Sequence, residues 1–342
     1  MADDEHRPHY YGGQAVLEGV MMRGRAAWAV AVRRPSGEIY VERHPVGDFQ
    51  QRRPIFTKPL FRGPWALVDA LKIGTKALTI SANQSVEDEE KLSGKELGGS
   101  LVIALLLFIV IFIALPNFGL AALLQGRVSE FTYHVVEGLV RIVMFLGYLG
   151  AISLLPDIKR VFAYHGAEHQ TIAAWEHEEP LQPDRVAGYP TLHVRCGTNF
   201  LVMVMVLSIL VYTLAGGLVP PPDGGFIVYS VYHIGLRVLL LPVVAGVAYE
   251  GLRLGAGRSN PLVRGIMRPG LWLQLITTKP STLEMREVAI RAFQAVVPVE
   301  ELEGRPVPTD ESELASPIVW GPDEATDVAY ALSPDTEPRS GR

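Results

Sequence analysis

The densest chemistry in this chain lies in Tyr164-His165-Gly166-Ala167-Glu168-His169, a His-x-x-Glu-His pentad in a short polar stretch between apolar runs. On a helix, residues four apart share a face, so His165 and His169 stand together with Glu168 beside them. Two imidazoles at that spacing can hold one metal ion, and an adjacent carboxylate can take a proton from water that the ion activates. The order of residues is that of the inverted zinc-protease signature. The expected cofactor is a divalent metal, zinc first, with His165 and His169 as ligands and Glu168 as general base.

A helix started by Pro156-Asp157 and running to about His177 places His165, Glu168, His169 and Glu176 within roughly 100° of arc. Val161 and Ile172 lie on the same stripe, and polar groups mixed with apolar ones resemble the wall of a site more than a solvated face. Gly166 weakens such a helix, which close approach of another segment or a ligand would explain. Further on, His193 and Cys196 are separated by two residues and can reach the same ion or orient its ligands. Inverted motifs usually take a third ligand from a distant carboxylate, for which Glu250 and Glu176 are the candidates. The plainer alternative is that these histidines cap helices or bind headgroups and that Cys196 is a small buried apolar residue. A thiol mechanism, with Cys196 as nucleophile and His193 as base, lacks a nameable oxyanion partner. One cysteine excludes an internal disulfide and any Cys-x-x-Cys zinc ribbon.

The elements that must position these residues are strongly apolar. Of 342 residues 49% are hydrophobic, and fifteen run unbroken from Leu101 to Leu115. With Phe131 to Leu155, Phe200 to Val219 and Phe226 to Tyr249, four stretches are long enough to cross a bilayer, for which about 20 residues suffice. The fold class is therefore mainly α: a polytopic membrane protein with four transmembrane helices. No secretory-signal pattern precedes the first span. Lys and Arg number 14 before that span, four in the loop 156–198 and ten after Tyr249, against one in Gln125 to Glu130 and none in Pro220 to Gly225. The positive-inside rule then puts both termini and the His-x-x-Glu-His loop in the cytoplasm of a bacterial inner-membrane protein.

Five regions follow. Residues 1–63 form a cytoplasmic N-terminal region, where Gly12 to Gly24 reads as a loop-rich start and two β-type runs flanking Pro35-Ser36-Gly37 read as a β-hairpin. Residues 64–97 read as an interfacial helix and linker, and 98–250 as the four-helix membrane domain. Residues 251–299 carry a short interfacial segment around Gly270 to Leu275 and an amphipathic helix from Ser281 to Val297, with Ser281 and Glu284 as capping box. Residues 300–342, with 11 acidic and three basic side chains, read as a disordered acidic tail. That tail carries −8 of a net −5, which leaves the remainder mildly basic and suited to an anionic leaflet. Membrane lipids are the expected partners, together with an unknown membrane-associated substrate. No nucleic-acid signature is present, and four spans make a homo-oligomer plausible.

Within the spans, His134, Glu137 and Arg141 share a face of the second, and the fourth holds His233 and Arg237, the latter at a depth comparable to Glu137 and Arg141. Intramembrane charge needs a partner or a wet cavity. The favoured expectation is an ion network locking two helices; a polar conduit is the rival.

Gly12 to Gly24, Tyr164 to Thr171, His193 to Thr198 and Arg268-Pro269-Gly270-Leu271-Trp272-Leu273-Gln274 together resemble the YqhQ-like bacterial membrane proteins. The resemblance runs from about residue 10 to residue 297. It implies a domain of unknown function labelled a predicted metal-dependent enzyme. Three functional expectations stand side by side: a metal-dependent hydrolase, a non-catalytic metal-binding scaffold or sensor, and a small ion or solute transporter.

Overall fold

The structure, a computed structural model, describes residues 11–47, 52–87, 94–255, 261–298 and 318–320. Of the acidic tail only Ile318–Trp320 lies among the described residues, and it forms a strand. Among the described residues, four helices are long and apolar enough to cross a membrane: Gly98–Leu124, Glu130–Ile152, Gly197–Leu218 and Phe226–Leu254. These match the four expected spans. The first is built from α2 (Gly94–Ile109) and α3 (Leu115–Leu124), joined through a single π-helical stretch, Val110–Ala114. The other three are α4 (Glu130–Ile152), α7 (Gly197–Leu218) and α8 (Phe226–Gly255). Ser129 caps α4 by accepting from the Thr132 amide.

At one end of this bundle sits a five-stranded antiparallel sheet: β1 (Gly12–Val16), β2 (Gly19–Arg23), β3 (Ala27–Arg33), β4 (Ile39–Pro45) and β5 (Ile318–Trp320), in that order. The expected hairpin is β3–β4, with Val32 opposite Tyr40. The segment read as a loop-rich start is instead β1 and β2. Its glycines serve close packing: a Cβ on Gly19 would lie 2.2 Å from the Ala31 carbonyl oxygen, and one on Gly13 would lie 2.5 Å from that of Met21. Glycine thus marks strands pressed against a neighbour here. The β1–β2 turn places Glu18 at φ 49°, a left-handed conformation unusual for a side chain of that size. Arg160 holds its carboxylate through Nε at 2.6 Å, and the Tyr164 hydroxyl donates to it at 3.3 Å.

Alternation along the strands buries both faces. Val20, Met22, Ala29, Ala31, Ile39 and Val41 pack against α5 (Pro156–Glu176) and α10 (Leu283–Gln294), around Phe293 and Ile290. Val16, Met21, Trp28, Val30 and Val32 face Ile73 and Ala77 of α1 (Arg62–Gln84). The helix read as interfacial therefore covers the sheet with one face while Val68 and Leu71 stay exposed. Its start docks on α8, where a Cβ on Gly63 would meet Tyr249 and Ala245. The segment after α8 is the helix α9 (Pro261–Thr277), longer than the short piece expected, and carries Pro269 within it. The cap of α10 is Thr282, whose hydroxyl accepts from the Met285 amide, rather than Ser281. Ser281 is drawn away because its hydroxyl donates to Gln170 at 2.6 Å.

Candidate metal centre

The His-x-x-Glu-His residues lie on α5, which starts with Pro156 in its first turn and Asp157 beside it. The helix packs on the sheet beside α10, with the start of α7 and the end of α9 reaching its His165 face, and is buried from Ala163 to Ala174 apart from the partly buried His165. Its interior glycine is explained. A Cβ on Gly166 would stand 2.1 Å from the Lys279 backbone oxygen, because the chain leaving α9 crosses α5 there and the Lys279 amide bonds the Phe162 carbonyl at 2.9 Å.

His165 and His169 share a face, with ring centroids 4.4 Å apart. The third group that joins them is Cys196: one ligand atom from each of the three lies within 4.8 Å of the others. His165 Nε2 is 3.2 Å from Cys196 Sγ. Both imidazoles are oriented from behind. His165 Nδ1 lies 2.8 Å from the Thr277 carbonyl and His169 Nδ1 lies 2.5 Å from the Thr191 carbonyl. A ring that donates its Nδ1 proton to a carbonyl keeps a lone pair on Nε2, the arrangement that fixes a metal-ligating tautomer. Cys196 is the N-cap of α7, with the Thr198 amide and hydroxyl donating to its sulfur at 3.4 and 3.2 Å. Burial pushes the Cys196 thiol up, and these hydrogen bonds oppose the shift.

Glu168 turns from that face toward β1. A Cβ on Gly13 would lie 3.0 Å from its carboxyl carbon, so glycine there leaves room for the acid. Burial raises its pKa to about 8, with Cys196 adding to the shift and His165 and the Gly13 amide opposing it. Its Oε2 is buried without a hydrogen-bond partner among the described residues. Burial likewise holds His169 well below the usual histidine range and lowers His193. Burial thus favours the neutral imidazole at both rings, the form that His169 needs as a ligand.

The two carboxylates expected to supply a third ligand are engaged elsewhere. Glu250 faces Arg62, which donates to it through Nε at 2.7 Å and through a second guanidinium nitrogen, and the Leu60 amide adds a contact at 3.3 Å. It fastens α1 to α8 and is not in the cluster. Glu176 pairs with Arg195 and lies 3.4 Å from His193 Nε2. His193 itself stands beside the cluster, its ring centroid 5.7 Å from that of His169, as an orienting neighbour. The thiol reading gains an imidazole next to Cys196, but it is His165 and not His193.

Two positioning residues gave no sequence signal, because the atoms used are the backbone carbonyls of Thr191 and Thr277. One that could have been found is Gln274, fully buried on α9 and within the Arg268 to Gln274 motif. It clamps His193 by accepting from its amide at 2.8 Å and donating to its carbonyl at 2.9 Å. Asn199 donates to the Val194 carbonyl at 2.5 Å and so braces the turn that delivers Cys196.

A family described as "Protein of unknown function (DUF1385)" matches residues 58–299, well over half of the chain. The chain belongs to the DUF1385 family. It is also 36% identical over 311 residues to "Uncharacterized protein YqhQ" of Bacillus subtilis (strain 168), covering 86% of this chain and 94% of that protein. The DUF1385 match takes in α5, Cys196 and α9, hence the whole cluster; Gly13 precedes it. Neither description names a metal or an activity, so the metal-enzyme label implied by the resemblance gains nothing from them. No solved structure matches the chain.

The close passage over Gly166 has a measurable consequence. Gly166→Ala is expected to destabilise the protein by about 1–3 kcal/mol despite the better helix former, because a backbone carbonyl must move. The shift propagates to Thr277, so affinity for divalent metal should fall as well. Thermal unfolding in detergent with and without zinc checks both effects.

Proposed function

We propose that this DUF1385 protein is an inner-membrane, metal-dependent hydrolase whose cytoplasm-facing centre is built from His165, His169 and Cys196. The observation that carries the reading is the pair of Nδ1 contacts to the Thr277 and Thr191 carbonyls, which aim two imidazoles at one thiol. Two nitrogens and a thiolate suit zinc best among common divalent ions, and three protein ligands leave a fourth position open. A divalent ion there supplies Lewis acidity toward water and toward a carbonyl or phosphoryl oxygen. Glu168 is the acid–base group: buried and unpartnered at Oε2, with a pKa raised to about 8, it is mostly protonated at neutral pH, and its ionised fraction, which grows as pH rises toward 8, accepts the proton that attacking water gives up.

A membrane-associated substrate fits the surroundings. An almost wholly apolar cavity of about 420 Å³ opens between α7, α8 and α9, lined by Asn199, Met203, Val206, Val247, Ile266 and Met267. Asn199 is three residues from Cys196, so an acyl or prenyl chain seated there would bring its polar head toward the cluster. The predicted substrate is thus lipid-linked. A second reading, a structural or sensing metal site, draws support from burial: Glu168 is only 4% and His169 only 1% exposed. The transporter reading draws no support from the ion network in the spans, which closes on itself as described below.

The test is hydrolysis of lipid-linked esters, phosphoesters and peptides by purified full-length protein, before and after chelation. Activity lost with the metal and restored by zinc is the expected result. Activity indifferent to chelation would refute the metal role, and zinc binding without any hydrolysis would favour the sensing site.

A further inference from the structure

At the other end of the bundle, three residues from different turns and helices converge. Glu130 opens α4, His134 lies one turn further along it, and His233 comes from α8. One ligand atom of each lies within 4.8 Å of the other two. The Glu130 Oε2 atom faces His233 Nε2 at 3.5 Å and His134 Nε2 at 3.9 Å. Both histidines are buried, at 2% and 0% exposure, and none of their four ring nitrogens has a hydrogen-bond partner among the described residues. Glu130 Oε2 is equally unpartnered, whereas Oε1 is fixed by the Tyr229 hydroxyl at 3.0 Å.

Ordinary packing does not account for this. The rings pack against Tyr133 and Tyr229, for His233 tilted at 5.0 Å and edge-to-face at 4.3 Å. Aromatic side chains would stack there too, without burying unpaired polar atoms that cost about 1–3 kcal/mol each. A tetrahedral ion with bonds of about 2.0–2.1 Å sets its ligands roughly 3.3–3.4 Å apart. The Glu130–His233 separation is already close to that, and the Glu130–His134 separation is half an ångström longer. The absent side chain of Gly216 on α7 is what admits the His134 ring, since a Cβ there would lie 2.3 Å from Nε2.

We propose that Glu130, His134 and His233 form a second divalent-metal site, of zinc type, at the end of the bundle opposite to the His165 cluster. At 1.5 Å per residue, the length of α4 puts the two centres on the order of 30 Å apart. The second site is a binding site and not the mouth of a cation path. One turn further in on α8, Arg237 donates to Asn117 Oδ1 at 2.6 Å and pairs with Glu137, which also binds Arg141 at 2.7 Å. Two arginines on one carboxylate repel any cation that would pass. The site rests on its own residues and holds whether or not the hydrolase reading does.

The experiment is titration of metal-free, full-length protein in detergent with Co²⁺ and with Zn²⁺. Two equivalents are expected in the wild type and one in His134→Ala/His233→Ala. The equivalent lost should carry visible cobalt bands without a thiolate-to-cobalt charge-transfer band, since no sulfur is present. Should the double variant fail to fold, Glu130→Gln keeps the Tyr229 contact and is expected to weaken that equivalent about tenfold to a hundredfold. Unchanged stoichiometry in the folded double variant, or unchanged affinity in Glu130→Gln, would overturn the proposal. Absence of the charge-transfer band with these visible bands intact would count against the first centre alone.

Discussion

Glu168→Gln is expected to keep the metal and lose the reaction. The amide has the shape of the protonated acid, and burial already favours that neutral form, with a pKa raised to about 8. Folding should therefore be unharmed, and thermal unfolding should match or exceed the wild type. Zinc content should stay unchanged, because Glu168 is not one of the converging ligands. Turnover of a lipid-linked substrate, in contrast, should drop roughly 10²- to 10⁴-fold, the usual worth of a positioned general base. A structural role predicts the reverse pattern: a loss of stability with activity scaled only to the folded fraction. Comparing kcat per folded molecule with unfolding temperature separates the two.

The largest stability effect is expected from Glu137→Ala. Glu137 is buried on α4 and neutralises Arg237 and Arg141 at once, while Asn117 takes another Arg237 donor. Removing the carboxylate leaves two guanidinium groups in an apolar bundle. Breaking a buried pair in this way costs about 3–5 kcal/mol, enough to unfold much of a marginally stable protein. Size-exclusion profiles after graded heating would read the loss. Replacing all three charges, as Glu137→Leu/Arg141→Met/Arg237→Met, is expected to restore most of it, since the apolar set leaves only the buried Asn117 Oδ1 without its partner. A folded triple variant with unimpaired function would identify the network as a helix lock; an equally stable triple variant that loses function would revive the conduit.

What was legible in the sequence follows from where the information resides. The four spans come from local hydropathy, and the shared face of His165 and His169 comes from helical periodicity within five residues. Cys196 was visible only as an accessory, because its place in the cluster depends on α7 starting where it does and on the loop folding back to α5. Glu250 was misplaced because its partner, Arg62, lies 188 residues away and leaves no trace near it. The strands β1 and β2 were hidden by the glycines that let them pack, since the same residues ordinarily mark loops. The second cluster was partly in view, as His134 and His233 in different spans. Only the way α4 and α8 both pack on α7 and α3, which brings their side chains together, shows that Glu130 joins them.

The most direct test of the central claim uses the single cysteine as its reporter. Metal-free, full-length protein is titrated with Co²⁺ while the near-ultraviolet thiolate-to-cobalt charge-transfer band is recorded. A centre of His165, His169 and Cys196 predicts that this band reaches the amplitude of one thiolate–cobalt centre per chain, saturates by two equivalents in the wild type and at one in His134→Ala/His233→Ala, and yields to zinc. It should vanish in Cys196→Ser and in His165→Ala/His169→Ala, both still folded. No charge-transfer band from folded wild-type protein, or one that survives loss of both histidines, would contradict the account.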